Sequence, residues 1–336
     1  MAINFAIIQT APGGPVEKLL SKINHDIEIN GDVKEASIIN NNQQYQSSLG
    51  IDPEIILKIE KDYGFDKSLL DRFWLMISKF IKFDFGNSFY QDKKVTDLLI
   101  EKLPVSVSLG LFTTIIIYLI SVPLGIKKAL YDGAKFDIAT STIIIIFSAI
   151  PAFLLAILLV TLFAGGNFFN IFPIRGLVSE NFEQLNLMQK ILDYLWHIFL
   201  PIISMVLGGF AALTFFVKNS FIEEINKQYV ICARAKGLNS QQVLYRHIFR
   251  NAMLIIIAGL PATLFAILFT SSMLIEIIFS LDGLGLLGYE SVIARDYPVI
   301  FASLYIFTLL GLIMNIISDI TYKLIDPRIN FESSKL

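Results

Sequence analysis

Lys218-Asn-Ser-Phe-Ile-Glu-Glu-Ile-Asn-Lys-Gln-Tyr-Val-Ile-Cys-Ala-Arg-Ala-Lys-Gly-Leu-Asn-Ser-Gln-Gln-Val-Leu-Tyr-Arg-His-Ile-Phe-Arg250 separates two strongly apolar runs. Its basic residues are Lys218, Lys227, Arg234, Lys236, Arg246 and Arg250, and its acidic ones Glu223 and Glu224. In membrane proteins, short loops with such a Lys/Arg excess stay in the cytoplasm. The flanking runs therefore cross the bilayer. Gly237 after Lys236 reads as a helix stop, since glycine enters the left-handed region cheaply and a cation suits the negative helix end. Asn239 and Gln242 have the spacing of a capping box. Two short helices with a sharp glycine joint are predicted.

Such a unit could bind DNA, insert into a partner protein, or only connect two spans. DNA readout is disfavoured because spans begin at both ends and leave no linker to reach a duplex. Composition agrees with a membrane protein: 54% of the 336 residues are hydrophobic, above the roughly 45–50% of soluble domains. Mean hydropathy is +0.64. A net charge of −2 gives no basic surface for nucleic acid. Cys232 is the single cysteine, so no disulfide forms within the chain, and it reads as an inert thiol.

A spanning helix needs about 20 apolar residues. Five windows qualify: Leu103 to Ile126, Ile138 to Ile174 (a span and part of a loop), Tyr194 to Val217, Asn251 to Ile275 and Tyr297 to Ser318. Lys127, Lys128 and Lys135 lie between the first two, and Lys323, Arg328 and Lys335 follow the last, so those sides are cytoplasmic. The connections at about 165–193 and 280–296 hold only Arg175, Lys190 and Arg295 as basic residues and lie outside. A sixth span should then precede Leu103. Upstream of Gln9 only Ile3 to Ile8 is apolar, and the eight residues before Gln9 make about 12 Å of helix, too short to cross a bilayer. Residues 10–102 form an outer region in which 28–50 is polar and reads as a mobile loop. From Asp52 onward Ile55, Ile56, Ile59, Leu69, Leu70, Phe73, Met76, Ile77, Phe80 and Ile81 recur at helical spacing.

Several residues are candidates for chemistry. Gly283-Leu284-Gly285-Leu286-Leu287-Gly288 has a dinucleotide-fingerprint pattern, but it follows an apolar helix instead of a strand. A tight loop re-entering between helices is the better reading. Glu276, at the end of a membrane helix, either reaches the interface, caps the loop amides or acts in transport. Asp319 has Lys323 one turn later as a natural partner. Pro123, Pro151, Pro201 and Pro261 bend helices, as hinges or as static kinks. Ser148, Pro151, Ser204, Gly208 and Gly209 suit path lining or close helix packing. His25, His197 and His247 are too dispersed for a metal site, and His197 reads as interfacial. No Gly-x-x-x-x-Gly-Lys-Ser/Thr loop occurs, so the chain lacks that device for ATP.

Ala233-Arg234-Ala235-Lys236-Gly237-Leu238, then His247 and Arg250-Asn251-Ala252, resembles the cytoplasmic coupling motif of ABC importer permeases. Supporting strings are Ala11-Pro12-Gly13-Gly14-Pro15, Tyr63-Gly64-Phe65-Asp66-Lys67, Phe83-Asp84-Phe85-Gly86-Asn87-Ser88, Glu276 to Gly285 and Asp326-Pro327-Arg328. Their order is similar to that in B-type permeases of dipeptide and oligopeptide importers. Phe163 to Gly166, Pro173 to Ser179 and Arg295-Asp296-Tyr297-Pro298 resemble the Yej-type subgroup, associated with peptide and microcin C uptake. Ile255 departs from the pattern, since most members carry proline there.

The resemblance implies an all-α, polytopic, type I permease bundle on a six-helix plan with a small helical periplasmic insertion. Residues 1–9 would be the remnant of a truncated first helix, 10–102 periplasmic, 103–325 the permease domain with coupling segment 218–250, and 326–336 a cytoplasmic tail. It implies as partners a homologous second permease, ATP-binding cassette ATPases, a periplasmic substrate-binding protein and a peptide substrate. ATP would be bound by the ATPases, and this chain would be neither an enzyme nor a cofactor carrier. Ser148, Pro151, Ser204, Glu276, Asp282, Gly283 and Gly285 become path or gate candidates. Two rivals stay open: an ion-coupled carrier, which predicts paired midplane charges and an internal repeat, and a membrane receptor or anchor.

Overall fold

In hydrocarbon a single segment satisfies its backbone N–H and C=O groups by winding into a helix, and the uncharged runs are wound accordingly. The computed structural model describes residue 5 and residues 68–325 apart from positions 89, 92, 166, 167 and 271. Expectations for residues 1–67, Phe5 excepted, and for 326–336 lie outside the described residues. Among the described residues there are twelve α-helices: α1 Leu69–Ile81, α2 Val95–Leu130, α3 Lys135–Ser148, α4 Ala152–Phe163, α5 Leu187–Ile225, α6 Gln228–Ala235, α7 Ser240–Val243, α8 Phe249–Ala258, α9 Leu260–Thr270, α10 Ser272–Phe279, α11 Leu284–Ala294 and α12 Tyr297–Ile325. Among the described residues there is no strand, only one bridge between Asn87 and Lys94.

The chain divides into two compact units, Met1–Leu99 with Glu290–Ile306, and Ile100–Tyr289 with Phe307–Leu336. The outer region thus shares its unit with the start of the last helix, which the boundary expected at residue 102 did not anticipate. In this first unit Ser68 caps α1 by accepting from the Asp71 amide. Phe83 takes a left-handed conformation at φ 57°, costly for a residue with a Cβ, and turns the chain after α1. Phe80, Phe83 and Phe85 can then pack against Tyr305, with ring centroids 5.6, 6.2 and 5.9 Å away. Nearby, the buried Ser88 hydroxyl donates to the Asp296 carboxylate.

Among the described residues four helical stretches are individually long and apolar enough to cross a membrane: α2, α5, Ser240–Ile267 and α12. The window 138–174, read as a span and part of a loop, forms α3 and α4, bent by 86° at a break that Pro151 closes as the N-cap of α4. The window Asn251 to Ile275 needs correction. Its span starts at Ser240 and ends at Ile267, and Ile275 belongs to α10, which meets α11 at 90°. With the basic loops inside, the Ser240–Ile267 span ends outside and α12 begins outside. The α10–α11 pair must then enter and leave on the same side, as the re-entrant reading of the glycine string predicts.

The core of the second unit joins Leu109 and Ile117 of α2, Ala156 of α4, Ile198, Ile202 and Met205 of α5, and Ile275 and Phe279 of α10. A Cβ on Gly208 would lie 2.9 Å from the Ala152 Cβ, so this glycine serves close packing of α5 on α4.

Candidate functional site

The polar segment folds on three local devices. Lys218 to Ile225 is not a separate short helix but the end of the 39-residue α5. α6 follows and stops at Gly237, whose φ of +83° is the left-handed helix stop read from the sequence. Asn239 and Gln242 then close a reciprocal capping box, with Asn239 Oδ1 accepting from the Gln242 amide at 2.8 Å and Gln242 Oε1 from the Asn239 amide at 3.1 Å. α6, with 8 residues, is the short helix expected before the glycine joint, whereas the second helix is not short. It passes through a π turn at Leu244–Ile248 into α8, so the box starts a 28-residue span.

One side of this elbow is packed. Val230 and Ala233 of α6, Val243, and Leu244 and Ile248 of the π turn bury against Ala129, Val217, Phe221, Ala252 and Ile256, with Leu238 partly buried beside them. Each fully buried valine or larger side chain contributes about 1.5–3 kcal/mol. The other side is open: Ile231, Cys232, Arg234, Ala235, Lys236 and Gly237 are exposed. Ile231 is 61% exposed and Tyr245 66%. His247 is half-buried, while Arg250 and Asn251 are exposed.

Two polar clusters tie the elbow down. Glu224 is buried at the end of α5, where its carboxylate accepts from Lys227 Nζ and from the Tyr229 hydroxyl. The Asn251 side chain lies within hydrogen-bonding reach of the same carboxylate and phenol. Burial and the Glu224 bond push the Tyr229 phenol up to about 12. The Glu224 bond also raises Lys227, against the opposing effect of burial. The second cluster was not foreseen. Lys128 has no exposure, and its Nζ donates to the Asp137 carbonyl at 3.0 Å, Thr140 Oγ1 at 2.9 Å and Ser141 Oγ at 2.7 Å, with Asp137 Oδ1 at 2.9 Å. Lys218 Nζ bridges Asp137 Oδ2 and Asp132 Oδ1, both at 2.8 Å. The inner ends of α2, α3 and α5 are thereby joined.

At the opposite end, Glu276 is fully buried at the α10–α11 corner. Its carboxylate accepts from Ser106 Oγ and from the Leu286 amide, each at 2.8 Å, while Ser106 Oγ accepts from the Leu284 amide at 2.8 Å. Of the readings of Glu276, capping of the loop amides is realised, and its full burial rules out reach to the interface. A Cβ on Gly283 would lie 2.5–2.6 Å from this carboxylate, and one on Gly285 2.7 Å from the Met273 Cα. Both positions need a residue without a side chain. Asp282 is exposed and pairs with Lys102.

The remaining candidates are scattered. Ser148 is exposed and bonds the Ile145 carbonyl of its own helix at 3.0 Å; Ser204 is fully buried and bonds the Pro201 carbonyl at 2.7 Å. His197 is buried, with Nδ1 2.8 Å from the Asp193 carbonyl. Asp319 and Lys323 are both exposed, and no ion pair joins them among the described residues; two long side chains in solvent gain little from meeting. Among the described residues no cluster of three His, Cys, Asp or Glu could hold a metal.

An all-helical bundle with a buried re-entrant corner at one end and an exposed basic elbow at the other defines a membrane-spanning transport subunit. Residues 121–331 match the family of binding-protein-dependent transport system inner membrane components, and the chain belongs to that family. It is 52% identical to the inner membrane ABC transporter permease protein YejB of Escherichia coli O157:H7, over 99% of this chain and 94% of the relative. It is 54% identical, with the same coverage, to the peptidoglycan transport system permease protein YejB of Agrobacterium fabrum. With the oligopeptide transport system permease protein AppB of Bacillus subtilis it shares 32% over 81% of this chain and 84% of that one. The fold is shared with an inward-facing structure of the MetNI methionine ABC transporter, at a TM-score of 0.53 and 18% identity, covering 68% of this chain and 97% of that one. The chain is thus an inner-membrane subunit of an ABC importer. Family membership replaces the ion-coupled carrier and receptor readings.

Proposed function

We propose that this chain is the permease of an ATP-driven importer for oligopeptides or peptide-like compounds. It forms the translocation path with a second, homologous permease. A periplasmic binding protein delivers the substrate, and ATPase subunits dock on the elbow between α6 and α7. The observation that carries this reading is the two-sidedness of the elbow. Ile231, Arg234, Ala235 and Lys236 face solvent, while Val230, Ala233 and the Glu224 cluster fasten the same turn to α5 and α8. A partner pressing on that open edge moves two spans together. The substrate class rests on relatives named for peptidoglycan and oligopeptide transport.

The test is a cysteine at Ala235 with Cys232 replaced by serine, crosslinked in membranes containing the candidate ATPase. A crosslink whose yield changes during ATP turnover is expected. No ATPase adduct in any nucleotide state, with the chain normally inserted, would overturn the docking.

A further inference from the structure

We propose that α1 is an interfacial helix seated in the outer leaflet, with Leu70, Trp74, Ile77 and Ile81 against phospholipid acyl chains. The helix has three sides. Phe73 and Phe80 face the first unit's own aromatic rings: Phe73 lies 5.4 Å from Phe5, Phe5 lies 6.2 Å from Phe301, and Phe80 lies 5.6 Å from Tyr305. Asp71, Ser78 and Lys79 form a polar, exposed arc. Between them Leu70, Trp74, Ile77 and Ile81 recur at i, i+4, i+7 and i+11, a single apolar stripe. Leu70 is 74% exposed, and Trp74 and Ile81 are each 67% exposed. Phe83, just past the helix end, is half exposed as well.

What covers the stripe follows from what lies beside it. Phe301 and Tyr305 are the fifth and ninth residues of α12, which spans the membrane, so they lie about 6 and 12 Å along it from its outer end. A helix of 29 residues is about 44 Å long and exceeds the roughly 30 Å of hydrocarbon. Sharing the excess between both ends puts α1 at the boundary of headgroups and acyl chains, the depth of about 5–10 Å at which amphipathic helices sit. At 13 residues α1 is too short to cross. Trp74 suits that boundary, because an indole places an apolar body in the chains and its N–H among headgroups. A stripe left in water would be an unusual apolar surface; at this depth it is already solvated by lipid.

Nitroxide labels test the seat. Leu70, Trp74, Ile81 and Ser78 are each replaced by cysteine in the full-length chain, with Cys232 changed to serine. Each variant is reconstituted with its co-purifying subunits into phosphatidylethanolamine and phosphatidylglycerol vesicles. At 70, 74 and 81, collisions with dissolved oxygen should exceed those with a water-soluble nickel chelate severalfold, and at 78 the order should reverse. Predominance of the nickel chelate at 70 and 74 would place the stripe in water. Low accessibility to both would mean that protein, such as a docked binding protein, covers it. Either result overturns the proposal.

Discussion

Lys128 and Asp137 form an ion pair of 2.9 Å in which the lysine has no exposure and the aspartate side chain 7%. The pair joins the end of α2 to the start of α3, and Lys218 of α5 completes it from the other oxygen. Asp137 is therefore the shared counter-charge of two cations. Replacing Asp137 with alanine leaves Lys128 buried without a carboxylate, a defect worth about 3–5 kcal/mol. Lys128→Met leaves Asp137 still paired with Lys218 and should cost less. Thermal unfolding in detergent should rank wild type above Lys128→Met and that above Asp137→Ala; equal midpoints would contradict the shared role.

Gly237 has open space where a Cβ would stand, so only its left-handed backbone opposes a side chain. Gly237→Ala should cost about 1–2 kcal/mol locally, and Gly237→Val more, because branching narrows the choice further. Membrane insertion should be intact and substrate uptake strongly reduced for valine. Normal uptake with normal ATPase co-purification would argue against an elbow that works through its shape.

Gly283 and Glu276 compete for one volume. Gly283→Ala should displace the carboxylate from Ser106 and the Leu286 amide and lower stability, as should Glu276→Ala alone. In the double variant the new methyl enters vacated space, so the two losses should not add. A double-mutant cycle on thermal stability should show coupling of about 0.5–3 kcal/mol; strict additivity would mean that the two do not touch.

Tyr229 and Lys227 hold their protons more tightly in the folded elbow than in an unfolded chain, where the ordinary values are 10.0 and 10.5. The stability that these two protons contribute is therefore present at neutral pH and up to about pH 10, and is lost as pH rises toward about 12; Glu224, held below its ordinary value by the same partners, loses its share in acid instead. Phenolate absorbance of wild type minus Tyr229→Phe should reveal one tyrosine ionising well above the ordinary value. A difference curve centred near 10 would mean that the Glu224 bond is absent.

Much of this was legible because the signals are local. Uncharged runs marked the spans, and Lys236-Gly237 with Asn239 and Gln242 marked the elbow joint, since stops and caps are set by residues within one turn of each other. The break at Pro151 was visible as a proline, but its 86° bend was not, because an unbroken apolar window is equally compatible with a straight helix. Lys128 was readable only as a sign of sidedness; its burial depends on Asp137, Thr140 and Ser141 arriving from the next helix. Glu276 was noticed as an intramembrane charge, yet its partners Ser106 and Leu286 stand 170 and 10 residues away. Sequence proximity carries no trace of the first of these. The ends of the long helices were missed because their last turns are polar and lie beyond the hydrocarbon.

α5 runs without interruption from its capping box at Asn186 to Asn226, a rod of about 58 Å. Pivoting it by about 5° around one tip shifts the other by about 5 Å. Pro201 inside α5 is the point at which such a lever can bend, so a push on the elbow end is carried rigidly over the stretch from Asn226 back to Pro201.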